Sequence, residues 1–176
     1  MVKVYKFIAY FTLFMLALIY FMPKLNLYYA FEKELQNYKV VFEEASKEDS
    51  GFALKLKGVE VFYDSISVAK VKDVKLNIFV IYNSLNIDDI DLAGLASSFV
   101  PTKIKEVDVV YTIFNPLNIT LKSDGEFGEA DVRLNLYNRD LNIILKPSKL
   151  MLQRYRSTLN NFKKEKNGEY RYVKTF

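Results

Sequence analysis

From Phe7 to Met22 the chain carries no charge, and Pro23 closes the run. Thr12 is its one clearly polar side chain, and a helix hides that hydroxyl by bonding it to the preceding turn. As a helix these residues span about 24 Å; Val4, Tyr5 and a snorkelling Lys6 extend the reach to about 28 Å, close to a bilayer core. Tyr5, Tyr10, Tyr20 and Tyr28 lie towards the two ends, where amphipathic rings favour the headgroup layer. The pattern predicts a membrane anchor over residues 1–24, stopped by Pro23. A cleaved secretory signal is the alternative, with Lys3 and Lys6 as its charged start. No small-x-small site follows, however, and a cut after Ala30 would put Tyr28 where a small side chain is needed. The anchor is therefore expected to be uncleaved. A short tail before a first apolar run favours an amino terminus in the cytoplasm and residues 24–176 outside, although Lys24, Lys33 and Lys39 partly balance Lys3 and Lys6.

Beyond the anchor the period changes twice. Leu27, Tyr28, Phe31 and Leu35 recur at helical steps and predict a short juxtamembrane helix over 25–37. The β-branched and aromatic Val40, Val41 and Phe42 then suit a strand, and polar Lys47 to Gly51 reads as a turn. Short strands follow: Phe52 to Leu56, Val59 to Tyr63 after an interruption at Gly58, and Ile66 to Ala69. Lys72 to Tyr82 alternates with Val74, Leu76, Ile78, Val80 and Tyr82 on one face. Leu85 and Ile87 begin another strand, and Ile104 to Phe114, apolar on both faces in its second half, reads as central. Leu117, Ile119 and Leu121 precede Asp124-Gly125-Glu126-Phe127-Gly128, a hairpin connection, after which Ala130, Val132, Leu134 and Leu136 share a face and are expected to be buried together. Asn138-Arg139-Asp140 turns into Leu141, Ile143 and Leu145, giving an antiparallel meander. No βαβ alternation occurs, so a parallel sheet is not expected.

At Pro147-Ser148 the period returns to that of a helix. Ser148 can cap a helix over 148–164 whose apolar side is Leu152, Tyr155, Leu159 and Phe162, and Asn167-Gly168 ends the segment. Glu169 to Phe176 alternates as a last strand. The predicted fold is mainly β: an N-terminal transmembrane helix, then an antiparallel β-sheet domain over 38–176, as a curved sheet or β-groove, with one C-terminal helix.

Composition narrows the chemistry. The chain has 14 Phe and 13 Tyr but no His, no Cys and no Trp, which removes the usual general base, thiolate nucleophile and zinc ligands. An exported domain without cysteine relies on burial alone, which suits a bacterial periplasm. No serine sits in a nucleophile elbow. Asp88, Asp89 and Asp91 fail the spacing of a calcium loop, because Ala93 stands where an oxygen ligand is needed; they read as facing solvent or ending a strand, as do Glu43-Glu44 and Glu48-Asp49. No catalytic residue, metal site or cofactor is expected, and no enzyme. From Lys146 to Phe176 nine Lys or Arg stand against two Glu, a net of +7 in a chain of +4 overall. Lys149, Arg154, Arg156, Lys163 and Lys164 form a candidate surface for an acidic partner or anionic headgroups, with a solvated helix face as the bland alternative. Nucleic acid is not an expected partner for an exported domain.

The anchor, Leu27-Tyr28-Tyr29 after it, the amphipathic strands, and Gly125-Glu126-Phe127-Gly128 leading to Leu145-Lys146-Pro147-Ser148 together resemble the AsmA-like group. Within it the chain is most similar to the N component of type II secretion systems. The resemblance implies a single-pass bacterial inner-membrane protein with a curved periplasmic sheet, tied to envelope assembly or lipid movement, although the chain is much shorter than most AsmA relatives. Two readings follow. One is a non-enzymatic accessory or scaffold subunit of an envelope machine, partnered by other envelope membrane proteins; this ranks first on sequence alone. The other is a lipid or lipopolysaccharide-handling β-groove. They differ in whether the concave face is dry and packed or lined with exposed aliphatic side chains.

Overall fold

A computed structural model of the chain describes residues 2–79, 81–94 and 96–176. Helix α1 spans Val2–Phe21 and stops before Pro23. Its residues 3–21 are apolar and long enough to cross a membrane, and nothing in the protein buries them. Helix α2 (Lys24–Gln36) begins at once. Eight long strands follow: β1 (Val40–Asp49), β2 (Ala53–Tyr63), β3 (Ile66–Ile78), β4 (Tyr82–Leu92), β5 (Lys103–Thr112), β6 (Asn118–Gly125), β7 (Gly128–Asn135) and β8 (Asp140–Pro147). Two short helices, α3 (Lys149–Arg154) and α4 (Arg156–Leu159), lead to a two-residue strand β9 (Lys163–Lys164) and to β10 (Tyr170–Thr175). All lie in one antiparallel sheet, in the order β1 to β8, then β10, then β9.

The predicted sheet, apolar N-terminal helix, short following helix and 125–128 hairpin are all present, but several strand boundaries differ. Lys47 to Asp49 are not a turn: β1 runs through them and reverses only at Ser50–Phe52. Gly58 does not divide two strands but lies inside β2. Ile66 to Ala69 and the run from Lys72 join as β3, which ends at Ile78, while Tyr82 opens β4; Val80 lies outside the described residues. These mergers share one cause. Ala45, Gly58, Lys72, Asp89 and Lys105 stand opposite one another across β1 to β5, and the ladder pairing skips each of them. In β2 to β5 this residue and one neighbour both avoid the apolar face, so the period of two slips once in every strand at the same level. Gly58 and Asp89 take the left-handed backbone there, at φ 59° and 52°. A Cβ on Gly58 would come within 3.1 Å of the Ala45 side chain. Aligned over five strands they make a line of skipped pairs, a crease in the ladder, and the apolar side chains stay on one face on both sides of it.

The C-terminal helix also differs. In place of one helix over 148–164 there are two, broken at Tyr155 (φ −118°, ψ 35°), and Lys163 and Lys164 belong to β9. Ser148 caps α3 as expected, its Oγ accepting from the Met151 N–H at 3.1 Å. The buried residues are Met151 and Leu159, whereas Leu152 is exposed. The break lets both turns reach Phe127 and Leu145, which a straight helix with Leu152 inward does not. Val132 and Leu134 are only half-buried and Leu136 is exposed, because no second layer covers that part of the sheet.

Candidate functional site

The pairing places Leu54, Leu76, Leu85, Val109, Leu121, Val132 and Ile143 in one row across β2 to β8. A second row holds Leu56, Val74, Ile87, Val107, Ala130 and Leu145, with Ser123 between Val107 and Ala130. Helices reach this face at its two ends. Helix α2 lies on β1 and β2, so Leu54, Leu56 and Val59 are buried beneath Tyr28 and Leu25. Helix α3 lies on β8, where Met151 and Leu159 close over Phe127 and Leu145. Between them Leu85, Val109, Leu121, Val132 and Ile143 remain half-buried. Under the edge of α2 the face opens into a cavity of about 350 Å³, lined by Tyr28, Phe31, Phe42, Val74, Leu76 and Leu85 among other apolar residues. That volume is at the lower end of small-ligand sites, roughly 300–1,000 Å³.

Polar groups sit at the edge of this space. The Tyr28 O–H donates to Glu44 Oε2 at 2.9 Å, and Glu44 is ion-paired with Lys47. The Lys47 ammonium lies over the Tyr28 and Tyr29 rings, 5.4 and 4.7 Å from their centres, a cation–π arrangement. Burial, and then the bond to Glu44, push the Tyr28 hydroxyl well above its ordinary pKa. The bond to Glu44 likewise raises Lys47. Glu44, expected to face solvent, instead has a side chain only 5% exposed. It falls on the same face as Phe42, which the alternation Val40-Phe42-Glu44 already carries.

A second polar group joins α1 to the sheet. Lys24 is fully buried, and its Nζ donates to the carbonyls of Ile19 (2.9 Å), Met22 (3.2 Å) and Gly51 (2.5 Å), with Asp49 Oδ1 at 4.0 Å. The first two carbonyls lie at the C-terminal end of α1, where a helix leaves acceptors without partners. The third belongs to the β1–β2 turn. Gly51 has φ 80°, and a Cβ there would lie 2.3 Å from the Tyr20 ring, so the turn and the end of α1 are in direct contact. The charge pattern alone places Lys24 outside the membrane; the signal that it does more is its place directly after Pro23, with no other cation near.

The five predicted basic residues are all exposed, and among the described residues none makes an ion pair. Lys149 begins α3, Arg154 ends it and Arg156 begins α4, where its Nε donates to the Leu152 carbonyl at 3.1 Å. Lys163 and Lys164 lie apart from them on the edge strand, Lys164 near the Tyr170 ring. They form two groups rather than one helix face. Asp88, Asp89 and Asp91 are exposed, and Asp89 pairs with Lys72 at 3.1 Å. Among the described residues no carboxylates gather as a metal site would need. The chain matches no family model, no curated protein and no solved structure.

Proposed function

We propose that the protein is a membrane-anchored, non-enzymatic module that holds acyl chains of lipids on the uncovered apolar face of its sheet. The observation that carries this reading is the half-buried row Leu85, Val109, Leu121, Val132 and Ile143, lying between two helix-covered ends. A face that served only as a core would be closed by a second layer, since an apolar surface of this extent in water is costly. The cavity beside α2 is lined by side chains that offer an acyl chain no competing polar partner. An α1 long and apolar enough to span a bilayer supports a source of such ligands next to the domain. We assign the anchor to a bacterial inner membrane and the sheet to its periplasmic side, on the charge pattern and the absence of cysteine.

The test is lipid retention by the full chain. Native mass spectrometry of wild type released from mild detergent should show a lipid adduct, and Val109→Glu with Leu121→Glu should lose it while keeping its fold. Both proteins keep α1, so the difference reports the sheet. Equal adducts in both would contradict the reading.

The scaffold reading keeps one specific support, the unpaired cations Lys149, Arg154, Arg156, Lys163 and Lys164. Reversing Lys163 and Lys164 to Glu should then abolish capture of partner subunits in crosslinked membranes without altering lipid retention.

A further inference from the structure

We infer that one rim of the sheet, formed by the hairpin tips on the side where α1 ends, rests on the lipid surface. The inference builds on the membrane reading of α1. In an antiparallel meander alternate turns fall at the same end of the sheet. Here the β1–β2, β3–β4, β5–β6 and β7–β8 turns share an end with the last residue, Phe176.

That end is continuous with α1. Tyr20 packs edge-on to Phe52 in the first tip, ring centres 5.3 Å apart, and Lys24 ties α1 to the same tip through Gly51. From there the tips are laced together. Phe52 stacks on Phe79 at 6.0 Å. The Ile113 N–H donates to the Ile81 carbonyl, the Leu136 N–H to the Leu117 carbonyl and the Phe176 N–H to the Arg139 carbonyl, at 3.2, 2.7 and 3.1 Å.

The tips are also apolar and uncovered. Phe114 is 81% exposed and Tyr137 79%, with Ile81, Ile113, Leu117 and Leu136 exposed beside them. The described residues of the four tips hold a single charge, the cation Arg139. Turns in water are ordinarily polar, for the backbone and entropy reasons that fill them with Gly, Asn, Asp and Ser. At the other end of the sheet the tight tips are Asp64-Ser65 and Glu126-Phe127, where Phe127 is folded inward under α3. Aromatic and aliphatic side chains at the tips of a sheet beside a helix of membrane-spanning length, with Asp49 and Asp140 set in the flanking strands, have the composition of an interfacial belt. The occupant the rim fits is therefore the headgroup–acyl boundary of the bilayer that holds α1. On this geometry the apolar face of the sheet meets the membrane along its rim, so an acyl chain passes between them without crossing water.

Because the chain contains no Trp, single substitutions give unambiguous depth probes. Full-length Phe114→Trp, Tyr137→Trp, Phe99→Trp and Phe14→Trp variants would be reconstituted in vesicles of phosphatidylcholine and phosphatidylglycerol brominated near the carbonyl end or near the methyl end of the acyl chains. Phe99 is 62% exposed in the β4–β5 connection, away from the rim, and serves as the control. Tryptophan at 114 and at 137 should each lose at least half its emission to the shallow bromines, tryptophan at 99 should lose little, and tryptophan at 14 should respond to the deep ones. An unquenched probe at either 114 or 137 overturns the inference, as does equal quenching at 99. Failure of the probe at 14 would instead remove the anchor reading, and quenching at 114 and 137 would still uphold the rim. Thermal melts of each variant exclude misfolding as the cause.

Discussion

Replacing Lys24 by Met tests how α1 is fixed to the sheet. Methionine keeps most of the apolar stem and volume but removes the donor to the Ile19, Met22 and Gly51 carbonyls, of which Ile19 keeps the Met22 N–H at 3.4 Å. A hydrogen bond to a charged group contributes about 1.5–3 kcal/mol, and a buried acceptor left without its partner costs about 1–3 kcal/mol. Against these stands the relief of no longer burying an ammonium group, which in other proteins reaches several kcal/mol. Asp49, 4.0 Å away and beyond hydrogen-bond reach, compensates the charge only weakly. Three carbonyl partners on one ammonium outweigh that relief, and the expected net loss is about 2–4 kcal/mol. For a chain of this size that lowers the melting temperature by roughly 5–15 °C. Thermal unfolding of the full chain in detergent, followed by circular dichroism, gives the magnitude. Hydrogen exchange locates it, with faster exchange expected in the last turn of α1 and around Ser50–Phe52. A melting temperature unchanged or raised would refute the reasoning, because desolvation of the ammonium would then dominate.

Two further outcomes concern the flanks of the apolar face. Burial and the bond to Glu44 raise the Tyr28 pKa in the folded chain, so its stabilisation is fully present below the unfolded value near 10 and is lost as pH rises beyond it. Wild type should therefore lose melting temperature more steeply than Tyr28→Phe between about pH 9 and 11, and parallel curves would contradict the assignment. Ser148→Ala removes the cap on Met151 and the bond that its Oγ donates to the Glu126 carbonyl. The denaturant midpoint should fall by the equivalent of about 1–2 kcal/mol, whereas an unchanged midpoint would mean that packing of Met151 alone holds α3 in place.

Local pattern made much of this fold legible. An uncharged run ending in proline, a three-and-four spacing in Leu27 to Leu35, and Gly125 to Gly128 between alternating strands each specify their element without distant contacts. The crease was not legible in that way. Lys72-Asp73 and Asp88-Asp89 each look like the end of a strand, and only their alignment with Gly58 and Lys105 across five strands shows that the strands continue. Tertiary packing likewise breaks the predicted C-terminal helix at Tyr155, since Met151 and Leu159 must both reach the second core cluster. The expected burial of Val132, Leu134 and Leu136 assumed a second layer that alternation cannot report. The same apolar residues serve a closed core or an open face, and the difference lies in what the helices cover. Lys24 and Glu44 escaped because a buried charge is invisible until its partners, here backbone carbonyls and a tyrosine, are brought to it.

Acyl-chain contact on the sheet can be read most directly by placing a benzophenone amino acid at Val109 or Leu121, whose side chains lie on the apolar face, and at their neighbours Val110 or Thr120 on the opposite face. After irradiation of the full chain in membranes, mass spectrometry should find lipid adducts from the first pair and none from the second. Adducts to protein alone at Val109 and Leu121, or lipid adducts in equal yield from both faces, would contradict the account.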